Sequence, residues 1–344
     1  MDRIARNQRV STLLRAQALP SKQGVSPNLS RISRFWTPSR TRSLATVTTN
    51  VPVPQITAPD LIYARKPDHV DEVHHQLQHH GILKISLQFA DTSSTYLQHL
   101  LRSLHDHHGH QLPISHSAKR GWFWDVRPSE TTFQAGNHQA RSETMNEFPW
   151  HTDCSYEDPP PRYFALQVLQ HDRYGGGTLS IMNVDRLSAL LSPATRAALV
   201  RPDYRISIPP EFIKDPAQKH ILGSVLLGAN AGGGGGGAGG GRGRQESTRP
   251  AVMRFREDIL TPLSGEASAA LDELRGALRS AEIQAQSTLH LVADELPKGS
   301  IILVDNRRWL HARNHINDPE RHLRRVRWDA VPFADSGDDA TDRV

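Results

Sequence analysis

The sequence has few cysteines and few long apolar runs, and both shortages exclude classes of protein. Its single cysteine, Cys154, excludes an internal disulfide, so nothing indicates a secreted, disulfide-bonded protein. No apolar run approaches the roughly 18 residues that cross a bilayer, so we expect no membrane partner. No Gly-x-Gly-x-x-Gly stands between a strand and a helix, and the polyglycine tract lacks a phosphate-binding lysine. Nucleotide-binding folds are therefore disfavoured.

Acidic residues are scarce at the N-terminus. Residues 1–50, the basic leader, hold nine of the 41 Lys and Arg residues and one of the 36 acids, Asp2. A leader rich in Arg and Ser is typical of a mitochondrial transit peptide; a disordered basic tail on a cytoplasmic protein is the alternative. Because the rest of the chain is mildly acidic, we expect no nucleic-acid partner.

The remaining chain predicts one large domain over residues 51–334, followed by a disordered tail over residues 335–344. A Gly-rich insertion at 228–247 interrupts the domain, and such a tract buries too little apolar area to order itself. Its two arginines, Arg242 and Arg244, faintly resemble an RNA-binding Gly-Arg tail, which is one alternative function.

Apolar periodicity predicts mainly β structure with flanking helices, an α+β fold of the β-sandwich or jelly-roll kind. Between Lys66 and Gly109 the order is helix, strand, helix, with a glycine at the end of each helix. Further on we expect strands at 162–170 and 179–184, single helices at 185–200 and 266–283, and one buried strand at 301–310 that ends near His311.

Histidine and aspartate recur in two short motifs. His151-Thr152-Asp153 places two metal-ligating side chains on the same side of an extended chain, but His69-Val70-Asp71 has the same spacing and is a decoy. Eleven of the 19 histidines lie between His69 and His116; solvated helix faces explain them, and a histidine-rich metal store is the alternative.

A metal held by two histidines and one carboxylate is the arrangement of non-haem Fe(II) oxygenases. His311 is the candidate third ligand, with a buried core histidine as the alternative. Arg321, Leu323 and Arg325 alternate along a predicted strand, and a guanidinium suits a dicarboxylate cosubstrate because it donates two parallel hydrogen bonds.

Four stretches carry a family resemblance: PWHTDCSYEDPPPRYFALQVL, GGGTLSIMNV, GSIILVDNRRWLHARN and RHLRRVRWD. Together they resemble the Fe(II)/2-oxoglutarate dioxygenases of the taurine dioxygenase (TauD/TfdA-like) type, especially the branch with clavaminate synthase and γ-butyrobetaine dioxygenase. The resemblance runs from about Ile62 to Trp328, and it implies a double-stranded β-helix, a cupin-like jelly roll.

The resemblance also implies roles for individual residues. His151, Asp153 and His311 would bind Fe(II) as the catalytic centre. Thr178 and Arg321 would bind the distal carboxylate of 2-oxoglutarate, and Arg325 would lie near its other carboxylate or the substrate. The implied reaction consumes O2, converts 2-oxoglutarate to succinate and CO2, and oxidises an unactivated C–H bond, with ascorbate as a supporting reductant.

Two comparisons with the family narrow the reaction and the substrate. Halogenating relatives lack the carboxylate ligand, so Asp153 favours hydroxylation, desaturation or ring formation. Taurine-type enzymes have an asparagine four residues before the first ligand, where this chain has Glu147, which would suit an ammonium group. We therefore expect an amino-acid-like or zwitterionic small molecule, with Glu147 facing its cation and Arg256 or Arg325 its carboxylate.

Two alternatives share the fold. A Jumonji-like protein hydroxylase or demethylase would use the same triad on a peptide, and a cupin-like module would bind a ligand without turnover. The sequence indicates no particular oligomeric state.

Overall fold

The computed structural model describes residues 53–113, 121–128, 140–228 and 250–333. The basic leader, the C-terminal tail and all of the Gly-rich insertion except Gly228 lie outside the described residues, so what we predict for them stays a prediction. Among the described helices, none combines the length and the apolarity needed to cross a bilayer.

The described residues form fifteen strands and six α-helices. The helices are α1 (Pro67–His80), α2 (Thr95–His108), α3 (Val184–Ala189), α4 (Pro193–Val200), α5 (Gly265–Arg279) and α6 (Ala281–Ser287). The strands are β1 (Gln55–Ala58), β2 (Ile82–Leu87), β3 (Trp124–Val126), β4 (Phe148–His151), β5 (Pro161–Gln170), β6 (Leu179–Asn183), β7 (Tyr204–Ser207), β8 (His220–Gly223), β9 (Leu226–Leu227), β10 (Val252–Met253), β11 (Leu260–Pro262), β12 (Thr288–Leu291), β13 (Ser300–Asp305), β14 (Trp309–Arg313) and β15 (His322–Ala330).

Two of the four sheets carry the fold. The larger has six strands in the order β1-β2-β13-β5-β15-β3, and the second has four in the order β12-β6-β14-β4. All pairs in them are antiparallel except β1 with β2. Two smaller sheets, β11-β7-β8 and β10-β9, complete the set, and β9 and β10 pair across the Gly-rich insertion. The predicted mixture of sheets and helices is confirmed.

Strand β13 shows why the six-stranded sheet lies at the centre. Ile301 and Leu303 pack with α1 and α2 on one side, while Ile302 and Val304 pack with the four-stranded sheet on the other. A strand buried on both faces reads as a continuous apolar run, as IILV does here. Helices α4 and α5 cover the far side of the four-stranded sheet, where they share a core with Leu310 of β14. The layers are therefore helix, sheet, sheet, helix.

The first two helices end where glycine permits the left-handed backbone. Gly81 and Gly109, with φ of 68° each, follow α1 and α2 directly. A side chain at Gly81 would also meet the Trp309 ring, since a Cβ there would lie 2.9 Å from Nε1. The predicted helix, strand, helix order and both glycine ends are confirmed.

Two predicted single helices are wrong, because each is broken by a capping serine. The Ser192 hydroxyl accepts a hydrogen bond from the Thr195 backbone N–H at 3.2 Å, and Pro193 begins α4. Ser280 lies between α5 and α6 and caps the second through the Ile283 N–H. A serine that bonds a nearby backbone N–H starts a new helix rather than continuing the old one.

The predicted single strand that ends near His311 is also wrong. The Asp305 carboxylate accepts hydrogen bonds from the backbone N–H groups of Arg307 and Arg308, at 3.0 and 3.2 Å, and so forms a turn. The chain leaves the six-stranded sheet at Asp305 and enters the four-stranded sheet at Trp309. His311 consequently lies in the middle of β14.

Candidate metal centre

Two neighbouring strands bring the histidines of the triad together. His151 ends β4 and His311 lies on β14, and the register pairs them directly. Asp153 follows two residues after β4, and its Oδ1 lies 3.8 Å from Nε2 of each histidine. The three ligand atoms all lie within 4.8 Å of one another, and no other such set occurs among the described residues. The structure thus assembles the predicted triad.

The two imidazole rings are oriented by their neighbours. His151 Nδ1 lies 2.8 Å from the Pro149 carbonyl oxygen, so it donates its hydrogen there and leaves Nε2 with a lone pair. The Phe148 ring stacks on His151 at 3.6 Å between centroids, and the Phe164 ring lies 4.6 Å from His311. The packing therefore fixes both rings.

Burial sets the charge of the triad. Burial lowers the pKa of His151 well below its usual range and that of His311 to about 4. Burial alone would raise the pKa of the Asp153 carboxyl, but the Arg325 guanidinium and His311 outweigh it, so that this pKa lies below its ordinary value. At neutral pH the triad holds two neutral imidazoles and one carboxylate, the protonation state that metal binding requires.

The triad fits a divalent iron by its donors and by an orphaned atom. Asp153 Oδ2 is buried and has no hydrogen-bond partner, an arrangement that costs free energy unless something binds there. Two imidazole nitrogens and one carboxylate oxygen on one face suit Fe(II) and leave further coordination positions open. His151, Asp153 and His311 would hold the ion.

A pocket of about 460 Å³, here called the metal pocket, opens between the six-stranded and the four-stranded sheet and has the triad in its wall. Three arginines also line it: Arg313, Arg321 and Arg325. Asp153 is the single carboxylate among the described residues of that lining, so this part of the pocket wall is positively charged. A pocket wall with several positive charges attracts anions such as carboxylates.

Arg321 has one buried guanidinium nitrogen without a hydrogen-bond partner. The residue is 4% exposed, its Nη2 donates to the Gly177 carbonyl at 3.0 Å, and its Nη1 is buried without a partner. Burial, with the nearby charge of Arg313, lowers the pKa of Arg321 to about 10, which still leaves it charged at neutral pH. Gly177 has a φ of 64°, and any side chain there would collide with Arg321.

Thr178 lines a pocket that adjoins the metal pocket. It lines a second pocket of about 460 Å³, which shares Leu166, Leu179, Arg321 and Leu323 with the metal pocket. The Thr178 backbone N–H donates to Asn314 Oδ1 at 2.7 Å. The structure thus places Thr178 beside Arg321, on the side away from the iron ligands.

Arg325 is held by the triad itself. Its Nη1 donates to Asp153 Oδ1 at 3.1 Å, which ties the guanidinium to the carboxylate. Arg327, on the same face of β15, contacts the sulfur of Cys154. Two arginines therefore flank the ligand carboxylate, and Arg325 remains next to the space in which a cosubstrate would bind.

Neither Glu147 nor Arg256, the two residues predicted to contact substrate, lines the pocket that holds the triad. Glu147 is exposed and is absent from the pocket lining. Arg256 pairs its backbone with His151, but its guanidinium makes two hydrogen bonds of 2.8 Å to the Asp258 carboxylate. Arg256 nevertheless lies close to the triad, because its guanidinium is 5.7 Å from the centroid of the Phe148 ring that stacks on His151.

Sequence reasoning missed two residues of this site. Arg313 donates to the carbonyl oxygens of Ser142, Thr144 and Asn146, and so holds the segment that leads into β4. Arg313 lies two residues after His311 on the same strand, so the two side chains face the same side, and this spacing could have indicated Arg313 from the sequence. Asn306 bonds to the backbone of Asp153, and no periodic signal marks it.

Comparisons with known proteins agree with this site. The family model described as "Taurine catabolism dioxygenase TauD, TfdA family" matches residues 42–327. No curated protein matches the sequence significantly.

Solved structures resemble the fold at low sequence identity. Asparagine oxygenase with Fe(II), 2S,3S-3-hydroxyasparagine and succinate is 17% identical, with a TM-score of 0.57 over 79% of this chain and 92% of that one. The non-haem iron oxygenase OrfP with Fe and α-ketoglutaric acid is 18% identical, with a TM-score of 0.54 over 78% and 82%. These structures share the fold of this chain.

Proposed function

Because the chain belongs to the TauD/TfdA family of dioxygenases, we propose that it oxidises a C–H bond of an amino-acid-like small molecule. It is a dioxygenase whose cofactor is Fe(II) and whose cosubstrates are 2-oxoglutarate and O2. The proposed reaction is a hydroxylation, desaturation or ring formation. The observation that carries the proposal is the His151, Asp153 and His311 group in the wall of a positive pocket.

In this proposal His151, Asp153 and His311 would hold the iron in the wall of the pocket. When bound, the iron supplies the redox chemistry that couples decarboxylation of 2-oxoglutarate to oxidation of the substrate. The chain's own contribution is positional. Phe148 and Phe164 cover the imidazole faces, and the bond to the Pro149 carbonyl leaves the lone pair of His151 on Nε2, where it would bind the metal.

Arg321 is the proposed anchor for the distal carboxylate of 2-oxoglutarate. Its unpartnered Nη1 needs an acceptor, and a carboxylate provides one that also neutralises the buried charge. Thr178 lies in the pocket on the other side of the same guanidinium and is proposed to bind the same carboxylate. Arg325 is proposed to contact the other end of 2-oxoglutarate or the substrate while it holds Asp153.

The charge of the metal pocket supports a substrate that carries a carboxylate. Three arginines face one carboxylate there, the iron adds two positive charges, and 2-oxoglutarate adds two negative ones. The described lining therefore stays positive after both have bound, which favours an anionic group on the substrate. The similar structures were solved with 3-hydroxyasparagine and with 3-hydroxy-arginine, and both ligands are α-amino acids.

Glu147 and Arg256 stay in the proposal with a narrower role. Because they lie outside the lining of the metal pocket, they are proposed to contact a part of the substrate that projects from it. An ammonium group near Glu147 would fit a zwitterion.

The two facing sheets also support a more specific fold, and we propose that they form the double-stranded β-helix of this family. The support is the shared core between the six-stranded and four-stranded sheets and the position of the ligands at its edge.

The test is succinate formation from 2-oxoglutarate by the purified protein with Fe(II), ascorbate and a panel of L-amino acids. We expect succinate from the wild type and none from His151→Ala, and we expect the amino-acid substrate to gain 16 Da or lose 2 Da. The assay includes reactions without an amino acid, because these enzymes can form succinate without oxidising a substrate. If no reaction forms succinate and His151→Ala keeps its metal, the proposed oxygenase activity is refuted and a non-catalytic cupin-like binding module is favoured.

We propose a mitochondrial location on composition alone. The support is the basic leader at residues 1–50, which carries nine Lys and Arg residues and one acid. Mass spectrometry of the N-terminal peptide from cells should find a chain that begins near residues 43–45. An intact Met1 would contradict import and favour the cytoplasm.

A further inference from the structure

We propose that Asn306 is a positioning residue that sets the carboxylate of Asp153 for metal binding. The inference rests on the proposed function, since it takes the triad to be the iron site. Asn306 directly follows β13 and is 2% exposed, so its side-chain amide has to find its partners inside the protein.

The amide of Asn306 binds both backbone groups of the ligand residue. Its Oδ1 accepts the Asp153 N–H at 2.7 Å, and its Nδ2 donates to the Asp153 carbonyl at 2.9 Å. This pair of bonds reproduces what a neighbouring strand would offer. The acceptor has to face the N–H and the donor the carbonyl, so the orientation of the amide follows from the bonds themselves.

Asp153 needs this support because it lies beyond the end of its strand. β4 ends at His151, and Cys154 has the left-handed backbone φ of 53°. Thr152 is held from another direction, since its N–H donates to the Phe255 carbonyl at 2.7 Å. The ligand residue thus lies in a turn where strand pairing no longer fixes its backbone.

Asn306 itself is tied to the central sheet. Its Nδ2 also donates to the Pro161 carbonyl at 3.0 Å, and its backbone N–H donates to the Arg162 carbonyl at 2.7 Å. Both carbonyls belong to β5, which is paired on both sides in the six-stranded sheet. The turn that carries the ligand is therefore bonded to the central six-stranded sheet.

The remaining freedom of Asp153 is removed at the other end of its side chain. Arg325 binds Oδ1 at 3.1 Å while Asn306 holds the backbone. With both ends fixed, the carboxylate keeps its place between the two imidazoles, and Oδ2 stays free of protein partners. Partners of this kind typically change metal affinity about 10- to 100-fold when they are removed.

The experiment compares Co²⁺ binding to the full-length metal-free wild type, Asn306→Ala and Asn306→Asp, by calorimetry and by the visible spectrum of the bound ion. We call the two hydrogen bonds from the Asn306 amide to the backbone of Asp153 the clamp. Asn306→Asp is isosteric and keeps the acceptor of the clamp but loses both donations of Nδ2, so it tests the clamp if Asn306→Ala does not fold. Asn183→Ala is the matched control, because Asn183 also bonds a backbone N–H, that of Arg186, at the start of α3.

We expect Asn306→Ala and Asn306→Asp to weaken Co²⁺ binding by roughly 10- to 100-fold and to change its ligand-field bands. The Asn183→Ala control should bind like the wild type, even if its melting temperature falls. Folded Asn306 variants with wild-type affinity and spectrum would overturn the clamp alone. If the wild type binds no Co²⁺, or if His151→Ala binds it normally, the metal site and the proposed function fail together with the clamp.

Discussion

Two groups of histidines lie on opposite faces of the six-stranded sheet, and only one of them is built for a metal. Adjacent residues of β5 separate them: Tyr163 stacks on His110 on the helix side, and Phe164 touches His311 on the pocket side. Burial lowers the pKa of His110 to about 3 and that of His311 to about 4. Burial therefore does not distinguish the two groups.

In the helix-side group, which is His74, His108 and His110, ring nitrogens contact one another and the neighbouring side chains of Trp328 and Asp71. Trp328 Nε1 donates to His110 Nδ1 at 3.1 Å, so His110 Nε2 carries the hydrogen and donates to His74 Nδ1, also at 3.1 Å. The ring of His108 stacks on that of His74 at 4.0 Å. In the metal centre, by contrast, two Nε2 atoms and a carboxylate converge on an open pocket. Convergence of free lone pairs, rather than the number or burial of histidines, makes the site.

The largest expected effect separates the two groups by metal content. His311→Ala should lower Fe(II) affinity by more than the roughly 100-fold that loss of a supporting residue costs, because it removes a ligand, and succinate formation should cease. In His74→Ala the Fe(II) affinity and the rate of succinate formation should both stay within about twofold of the wild type, since the helix-side group offers no converging lone pairs. Metal analysis after gel filtration and a succinate assay measure this. Equal metal loss in both variants would contradict the distinction.

The next effect concerns the pocket beside the triad. Arg321→Lys should raise the KM for 2-oxoglutarate by roughly 10- to 100-fold, because the lost charge-assisted bond contributes about 1.5 to 3 kcal/mol. Arg324→Lys is the control, because Arg324 lies on the opposite face of β15 from Arg321 and bonds Asp125 at 2.9 Å. Steady-state kinetics with varied 2-oxoglutarate would measure both, and an unchanged KM in Arg321→Lys would remove Arg321 from cosubstrate binding.

The third effect is the pH dependence of stability on the helix side. Burial, followed by the charges of His74 and Arg162, lowers the pKa of His110 to about 3 in the folded protein. The unfolded chain therefore binds a proton on His110 more readily than the folded protein does. The contribution of the neutral ring to the free energy of unfolding is complete above about pH 6.5 and is lost as the pH falls toward 3. The slope is at most about 1.4 kcal/mol per pH unit.

The variant His110→Gln should lose that part of the slope. Urea unfolding of the metal-free protein at several pH values between 7.5 and 4.5 measures it. The triad histidines contribute to both proteins, so the difference isolates His110. Identical slopes in wild type and variant would contradict the assignment.

The smallest effect is expected from the carboxylate of the helix-side group. Asp71 Oδ1 lies 3.0 Å from His108 Nε2, but the Asp71 side chain is 62% exposed. Asp71→Asn should change the free energy of unfolding by no more than about 1 kcal/mol, as for other exposed ion pairs. Thermal unfolding and metal content are the measurements, and a loss of bound iron would show that the helix-side group does bind it.

The decoy motif illustrates what sequence could and could not decide about the triad. His69 and Asp71 lie on helix α1, where residues two apart point to different sides, and His69 bonds the Tyr96 hydroxyl at 2.6 Å. His151 and Asp153 have the same spacing at the end of a strand. The difference in secondary structure, not the spacing, separates a ligand pair from a coincidence.

Other features fell outside sequence reasoning because they depend on distant contacts. The apolar pattern predicts one strand where β13 and β14 are two, because the turn between them depends on Asp305, whose carboxylate accepts from the backbone N–H groups of Arg307 and Arg308. Asn306 carries no periodic signal, because its partners Asp153 and Pro161 lie about 150 residues away in sequence. The sequence suggests Glu147 and Arg256 by their charge and by comparison with the family, and neither property determines where a side chain points.

The sequence by itself determined the donor types, the arginines, the helices that end at glycines and the strands whose apolar runs face two cores. These properties are local, because hydrogen-bonding capacity, backbone preference and hydrophobic period belong to short stretches of chain. Only the tertiary structure decided that His151 pairs with His311, that Arg325 holds Asp153 and that Asn306 fastens the ligand turn. Those relations arise when two sheets close on each other and polar groups removed from water take the partners left within reach.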